Sequence, residues 1–531
     1  MKRIALSLSA VAFFCLHVHR TSAFAAVLIA LPFLLYFAVK MPALADAPPL
    51  RPAWKIYAAL TAIGACLWPV SGFAGWLRSI TVFQMLQQAL GADLNPLSQI
   101  TAFLFAAAGL WFAYHMVCLF LSRFLVAARE AAGDFSKAER IALLAAVLVL
   151  IAAVALVYTR TDGFASPLVT RDLIYTSDSG AIVHENAYLS LSAGENDIRS
   201  PLFMLFAAPL MGLPYLLSRI LPVSNAVSLL LVAAQAPLLA VSFLLLMKMV
   251  RGVSRAARIA LPLVMLSTHA ALLFTLMAEQ YVIALFYLAF GLYGIVMHGR
   301  REQLLVLGAA GTMIPGAALM LLPEREGKTL REVIVDLLRS VLWGAVLLFA
   351  LGGAGVLLRL PETLASIGRF SGAQITLWDR CLQFVSFVGQ VFLAPQAGAV
   401  AAADGYMKWR LMDPQGVSVA GAALLLLSLL GFALNRRQRF AQIAMGWVCV
   451  SFVLLFVLGW GTAENGLTLY TLYFGWAFAV LIVYLTESLC RALKLERFSW
   501  IVYALAGAAM LWYNLPRLCA LVRFAVEFYP L

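Results

Sequence analysis

Long apolar runs, separated by short polar turns, dominate the pattern along the chain. A helix crosses the bilayer core with about 20 apolar residues, whereas a membrane strand uses about ten residues of alternating polarity. The runs in this chain are long and do not alternate, so they predict membrane-spanning helices. They cover residues 4–17, 22–39, 55–74, 99–125, 140–159, 223–247, 258–277, 280–297, 338–358, 417–434, 440–460, 467–487 and 498–513.

A further apolar run, 303–322, differs because Gly308, Gly311, Pro315 and Gly316 interrupt it. Proline and glycine break a regular helix, and irregular backbone at membrane depth occurs only where protein or a water-filled cavity surrounds it. We therefore predict that this run enters the membrane, turns and returns to the same side as a re-entrant hairpin.

Lysine and arginine cluster in short loops between the predicted helices. Cytoplasmic loops of membrane proteins are rich in these residues, so we assign the clusters to the cytoplasm. They share one side only if 303–322 is a hairpin, which supports that prediction. The clusters are Lys248, Arg251, Arg255 and Arg258; Arg300 and Arg301; Arg325, Lys328, Arg331 and Arg339; Arg436, Arg437 and Arg439; and Arg491, Lys494 and Arg497.

Composition narrows the class of protein. Hydrophobic residues make up 63% and charged residues 12%, against about half and about a quarter in soluble domains, which excludes a soluble enzyme, a disordered chain and a disulfide scaffold. The net charge of +13 fits cytoplasmic loops, and no basic stretch is interleaved with aromatics as a nucleic-acid groove would be, so we expect no nucleic-acid partner. The seven cysteines and six histidines are dispersed and indicate no zinc site.

These observations predict an all-α polytopic membrane protein without internal repeats. No small-residue cleavage site follows the first apolar run, so we interpret it as an uncleaved membrane segment. The predicted parts are about five N-terminal transmembrane helices in 1–159, an extracytoplasmic acidic loop and interfacial helix in 160–222, core helices with the broken hairpin in 223–358, an extracytoplasmic loop in 359–416, and C-terminal helices with an outer tail from Asn514 in 417–531.

The outer stretch 160–201 is the most informative polar segment. Aromatic and aliphatic residues lie among its acids, which favours a packed acidic pocket over a loop that is merely solvated. Acids embedded in a membrane are functional candidates by default. Glu279 and Glu464 are two such candidates, at predicted outer turns between helices. The alternative interpretation is that each is an ordinary acid at the tip of a loop. The acids of the stretch are Asp162, Asp172, Asp178, Glu185, Glu195 and Asp197, accompanied by Arg160, Arg171, Arg199 and His184.

The order of these features resembles a known layout. An acidic outer loop is followed by a proline-led interfacial helix (RSPLFMLFAAPLMGLPYLL), a Ser218-Arg219-Ile220-Leu221-Pro222 entry to a span, a basic turn (KMVRGVSRAAR), a helix pair that turns outside, and a broken hairpin. Over roughly 160–360 this is similar to the core of the GT-C superfamily of membrane glycosyltransferases. Two features depart from that layout: five helices precede the acidic loop here instead of one, and Asp178 has no adjacent acid.

The resemblance implies sugar transfer from a polyprenyl-phosphate donor to a lipid-linked or cell-envelope glycan acceptor, on the extracytoplasmic face of the inner membrane. A carboxylate must take the acceptor's proton, and we assign this role to Asp178 in its Ser-Asp-Ser-Gly turn, with Glu185 as the second catalytic candidate. Glu195 and Asp197, with Glu279, are candidates to orient the acceptor or to hold a divalent cation such as Mg²⁺ or Mn²⁺. The candidate phosphate-binding cations on the outer side are Arg199, Arg219, Arg369, Arg380, Lys408 and Arg410.

The later outer stretch 359–416 alternates aromatic and basic residues, as in Tyr406-Met407-Lys408-Trp409-Arg410. Aromatics stack on sugars and also anchor at headgroup depth, so both a lid over the substrates and a plain interfacial anchor stay open. A transporter or flippase of a lipid-linked saccharide ranks second, because few charges lie deep in the bilayer. An O-antigen-type polymerase or ligase is the next alternative, although the late outer loop lacks histidine.

The topology can be tested with reporter fusions. We expect a cytoplasmic signal from fusions at Arg255, Arg300, Lys328, Arg437 and Lys494, and an outer signal from fusions at Gly180 and Gly405. The fusion at Lys328 is decisive, because an outer signal there would make 303–322 a true span and would contradict the hairpin.

Overall fold

The structure is a computed structural model that describes residues 123–165, 173–189, 200–322, 375–462 and 467–531, with isolated positions between 329 and 371. The predicted spans before residue 99 and the span 338–358 lie outside these residues, as does most of 99–125. The chain forms two compact units, and the one described below comprises 131–333 and 361–531.

This unit is mostly helical. Its α-helices are α1 (Lys137–Tyr158), α2 (Ser179–His184), α3 (Phe203–Ser218), α4 (Ala226–Lys248), α5 (Arg255–Leu266), α6 (His269–Leu276), α7 (Gln280–Met297), α8 (Gln303–Thr312), α9 (Leu377–Phe392), α10 (Val419–Asn435), α11 (Arg439–Ser451), α12 (Thr471–Ala492) and α13 (Ser499–Phe528). A 3-10 helix covers Ile314–Leu321, a π-helical turn covers Phe452–Val457, and two strands form a small sheet, β1 (Ala397–Ala401) and β2 (Met407–Leu411).

The prediction of a mainly helical chain with membrane-length apolar helices is confirmed for the described residues. Among the described residues, six helices are long and apolar enough to cross a membrane, and a seventh span results if α5 and α6 count as one segment bent by 59°. Helix α7 covers the same residues as the predicted span 280–297, and α1 and α4 differ from their predicted ranges by a few residues. Side chains exposed on these helices are largely leucine, valine and isoleucine, which suits contact with lipid.

Residues 303–322 fold as a hairpin. Helix α8 ends at Thr312, the 3-10 helix runs back to Leu321, and the Arg301 guanidinium donates to the carbonyl oxygen of Leu322, so the two ends lie together. A Cβ at Gly316 would lie 2.2 Å from the carbonyl oxygen of Ala309, which explains the glycine at this close approach. The side from which the hairpin enters a membrane stays a prediction.

Polar contacts fix the two ends of the helix bundle. At one end, which we call the basic end, the Lys248 ammonium lies 2.7 Å from the Glu139 carboxylate, and the Tyr293 hydroxyl donates to Asp134 at 2.7 Å. At the other, the loop end, the Tyr158 hydroxyl donates to the carbonyl oxygen of Leu276 at 2.8 Å. Asn225, just before α4, donates to the carbonyl oxygen of Tyr158 at the loop end at 2.7 Å. Helices α4 and α7 therefore both run from the loop end to the basic end, and α1 runs in the opposite direction.

The second half of the predicted extracytoplasmic loop 359–416 contains regular structure. Helix α9 begins at the side-chain cap of Thr376 and buries Phe384, Phe387 and Val391 against neighbouring helices. The following residues form the antiparallel pair β1–β2, in which Ala399 is opposite Trp409. The described part of the chain is mainly helical, which is compatible with the predicted all-α class, and it carries one small two-stranded sheet.

The predicted outer tail from Asn514 is helical, because α13 continues to Phe528, and the side of the membrane on which it lies stays a prediction. Asn514 is buried, and its amide nitrogen donates to the carbonyl oxygens of Ser267 at 3.1 Å and Phe392 at 2.8 Å. Its amide oxygen accepts from the backbone N–H of Ala394 at 2.8 Å. The asparagine thus satisfies backbone groups at the bend between α5 and α6 and at the end of α9.

We expect Asn514→Leu to destabilise the protein, because three buried backbone groups would lose their partner at about 1–3 kcal/mol each. The apparent Tm in detergent should fall clearly. Trp512→Leu is the matched control, because Trp512 is 85% exposed on the same helix and should change the Tm little. An unchanged Tm in Asn514→Leu would show that these contacts do not stabilise the fold.

Candidate functional site

The acidic segment is anchored to the small sheet. The backbone N–H of Trp409 in β2 donates to the carbonyl oxygen of Leu173 at 2.8 Å, and the N–H of Tyr175 donates to the carbonyl oxygen of Trp409 at 2.7 Å. Ile174 therefore forms a parallel bridge with Trp409. This bridge joins the two outer stretches that the sequence indicated as separate polar regions.

A tight turn then places Asp178 at the start of helix α2. Tyr175 has a φ of 54°, which reverses the chain after the bridge and is unusual for a buried aromatic residue. The carbonyl oxygen of Asp178 accepts the first helical hydrogen bond, from the N–H of Ile182 at 2.8 Å. Asp178 itself is half-buried.

The side chain of Glu279 is hydrogen-bonded to the backbone of this turn. It precedes α7 at the loop end and is completely buried, and its Oε1 accepts a hydrogen bond from the backbone N–H of Asp178 at 2.8 Å. A buried carboxylate is tolerated only where donors surround it. The contact joins two sequence candidates that are 101 residues apart.

The same contact assigns different tasks to the two acids. Glu279 is fully buried and accepts from the backbone of the turn, whereas Asp178 is half-buried. Glu279 was a sequence candidate for acceptor or metal binding, and in this geometry it acts as a positioning residue for the turn.

Two supporting residues, Gln235 and Tyr188, were missed at the sequence level. The Gln235 amide nitrogen in α4 donates to the Tyr188 hydroxyl at 2.5 Å and lies 3.4 Å from the carbonyl oxygen of Glu279. Burial, together with the negative charge of Glu279, raises the pKa of Tyr188 well above its usual value, so the hydroxyl stays protonated at neutral pH. The available signal was a lone glutamine in the apolar run of α4.

Strand β2 brings two candidate cations to this region. Lys408 and Arg410 lie on one face of the strand, and Trp409 lies on the other. The Lys408 ammonium is 2.8 Å from Asp404 within the hairpin, so part of its charge is already balanced. Because Trp409 pairs with Leu173 and Tyr175, the strand runs beside the segment that leads to Asp178.

The remaining described candidates lie apart from this contact. Arg219 is exposed just beyond α3, where its guanidinium lies 4.8 Å from the Tyr215 ring centroid and donates to the Tyr215 hydroxyl. Arg380 in α9 donates to the carbonyl oxygen of Ser371 at 3.0 Å, which gives it a structural task. Glu185 is exposed just after α2.

Four candidates, Glu195, Asp197, Arg199 and Arg369, lie outside the described residues, and so does Glu464. Within the described ranges, no group of three or more histidine, cysteine, aspartate or glutamate side chains is arranged to hold a metal ion. The proposed Mg²⁺ or Mn²⁺ site at Glu195 and Asp197 therefore stays a prediction.

Comparison of the chain with protein-family models, with curated proteins and with solved structures finds no match. Function must therefore be inferred from the chemistry of the residues themselves.

We expect Glu279→Ala to loosen the Asp178 turn, because the buried N–H of Asp178 would lose its acceptor at about 1–3 kcal/mol. Hydrogen exchange at the Asp178 amide should accelerate roughly five- to a hundredfold. Glu279→Gln keeps an acceptor oxygen and should have a smaller effect, while the exposed Glu185→Ala serves as the control without effect. Equal exchange in all three variants would contradict the role of Glu279.

Proposed function

We propose that this protein is a membrane glycosyltransferase of the GT-C type. It transfers a sugar from a polyprenyl-phosphate donor to a lipid-linked or cell-envelope glycan acceptor on the extracytoplasmic face of the inner membrane. The observation that carries the proposal is the 2.8 Å contact between the Asp178 backbone N–H and buried Glu279, which fixes the backbone that carries the half-buried Asp178 at the end of an apolar helix bundle.

The chemistry explains why a fixed carboxylate is useful. The acceptor hydroxyl attacks the anomeric carbon, a new C–O bond forms, and the bond from that carbon to the phosphate oxygen breaks. Asp178 takes the hydroxyl proton as general base, and polyprenyl phosphate leaves with the bonding electron pair. A base must lie within about 3 Å of the proton that it removes, so a turn held by a buried partner favours the reaction over a mobile loop.

The leaving phosphate requires cations near the same surface. Lys408 and Arg410 support the proposal because their strand pairs with the segment that leads to Asp178. Asp404 balances Lys408, and within the described part of the chain Arg410 has no hydrogen bond or ion pair to a side chain, so Arg410 is the better phosphate ligand of the two. Its planar guanidinium binds phosphate with two parallel hydrogen bonds.

The general base is tested by Asp178→Asn. The amide cannot accept the acceptor's proton, whereas the backbone N–H that bonds Glu279 is retained. We expect normal expression and Tm with sugar transfer reduced by at least about 100-fold, the contribution typical of general-base catalysis. Transfer is measured as release of polyprenyl phosphate from a panel of polyprenyl-phosphate sugars.

Glu185→Gln is the matched control for that experiment and should retain activity in the same assay. Wild-type transfer by Asp178→Asn, with loss in Glu185→Gln or Asp197→Asn, would move the base elsewhere in the loop. Absence of release from every donor by the wild-type protein would contradict the proposed function itself.

Donor binding is tested by Arg219→Lys. Arg219 is exposed beside the leucines at the end of α3, where it either clamps the donor phosphate with two hydrogen bonds or contacts lipid headgroups. Loss of a charged hydrogen bond costs roughly 1–3 kcal/mol, so we expect the donor KM to rise about five- to a hundredfold with unchanged Tm. An unchanged KM would assign Arg219 to the lipid and leave the phosphate to Arg410.

A further inference from the structure

A cavity of about 280 Å³ lies at the loop end, and neither Asp178 nor Glu279 lines it. Helix α6 forms one wall, and residues 514–521 of α13 form a second. Residues 394–397 and Trp409 form a third. Its walls are largely apolar, but Arg517 and His269 both line it. Cavities that combine apolar walls with a few polar groups are typical ligand sites.

The position of Arg517 along α13 corresponds to headgroup depth. Residues 499–516 contain no charged side chain, and charge resumes at Arg517. Arg517 follows Ser499 by 18 positions, which is about 27 Å along a helix, close to the roughly 30 Å thickness of the hydrocarbon core. Trp512, 85% exposed, and Leu515, 44% exposed, face outward just before it.

The Arg517 guanidinium is held at the cavity but is not neutralised. It stacks 3.7 Å from the Tyr513 ring centroid, and its Nη1 donates to the Tyr513 carbonyl oxygen at 2.9 Å. In the described part of the chain, no carboxylate pairs with it. Arginine has several further N–H donors, which suit the oxygens of a phosphate.

His269 offers the complementary group. It is buried, and its Nδ1 lies 2.9 Å from the carbonyl oxygen of Gln390. A carbonyl only accepts, so Nδ1 carries a proton, and in the neutral imidazole Nε2 keeps its lone pair. Nε2 is therefore the ring nitrogen that accepts a hydrogen bond from a ligand hydroxyl. Asn514 also lines the cavity, but its amide is used by the backbone contacts described above.

We propose that this cavity binds the head of a membrane phospholipid whose phosphodiester also carries a free hydroxyl, as in phosphatidylglycerol. The single negative charge of a diester matches the single cation Arg517, and the headgroup hydroxyl donates to Nε2 of His269. The volume is just below the roughly 300–1,000 Å³ of small-molecule sites, so it accommodates a headgroup while the acyl chains stay in the bilayer. This inference does not depend on the proposed transferase activity.

The site is tested with the full-length protein, delipidated in detergent and titrated with phosphatidylglycerol, phosphatidylcholine or soluble glycerol phosphate. Native mass spectrometry counts the bound lipid. Wild-type protein should bind phosphatidylglycerol at least about tenfold more tightly than phosphatidylcholine, and Arg517→Gln should weaken phosphatidylglycerol binding at least about tenfold. Arg523→Gln is the matched control, because Arg523 is exposed on the same helix and does not line the cavity.

A second variant tests the hydroxyl. In His269→Asn the amide nitrogen still donates to the Gln390 carbonyl, but the acceptor at Nε2 is lost. The preference for phosphatidylglycerol over phosphatidylcholine should then fall, with little change in Tm, and an unchanged preference would remove the hydroxyl contact from the proposal. If His269→Asn is unstable, the comparison of Arg517→Gln with Arg523→Gln decides the proposal alone.

Three outcomes would overturn the proposal. Equal binding by Arg517→Gln and wild type would remove the phosphate contact, and equal weakening by Arg523→Gln would reveal only general surface charge. Displacement of the lipid by glycerol phosphate at equal concentration would assign the cavity to a soluble phosphate. None of these measurements uses sugar transfer, so failure here leaves the result of the transfer assay intact.

Discussion

The buried carboxylate of Glu279 is the constraint on which the candidate site depends. A charge in the bundle interior is costly unless hydrogen-bond donors reach it, and here the backbone N–H of Asp178 does so at 2.8 Å. The contact joins the Asp178 turn to the residue that directly precedes α7. The hydrogen bond that stabilises buried Glu279 also fixes the backbone of Asp178. A general base requires such a fixed position.

Much of the helical layout was predictable because apolar runs in a membrane protein must form helices. The run 280–297 became α7 without change, since its boundaries coincide with polar residues on both sides. The last apolar run ends at 513, whereas helix α13 continues to Phe528. The polar residue Asn514 stands inside this helix because its amide donates to carbonyl oxygens of other segments. Strands β1 and β2 were missed because residues 397–411 contain alanine, glycine and mixed polar residues instead of a β-branched alternation.

The sequence indicated which residues belong to the candidate site but not which of them contact each other. The acids Asp178 and Glu279 were recognisable as polar residues at the edges of apolar segments, yet nothing in local spacing indicates that they meet 101 residues apart. The bridge of Ile174 to Trp409 has the same character, because it depends on pairing of backbones. The chain continues from this bridge to Asp178, and Tyr175 and Trp409 also line the cavity beside Arg517. The same short backbone pairing therefore supports both the Asp178 turn and the cavity.

The central claim is that the Asp178 carboxylate acts as a general base in sugar transfer, and chemical rescue tests it most directly. Asp178→Gly removes the carboxylate and leaves space for a small carboxylic acid. Added formate should restore release of polyprenyl phosphate in proportion to its concentration, and Glu279→Gly should not be rescued, since Glu279 acts through a buried backbone contact. Failure of formate to rescue a folded Asp178→Gly protein, or full activity in its absence, would contradict the account.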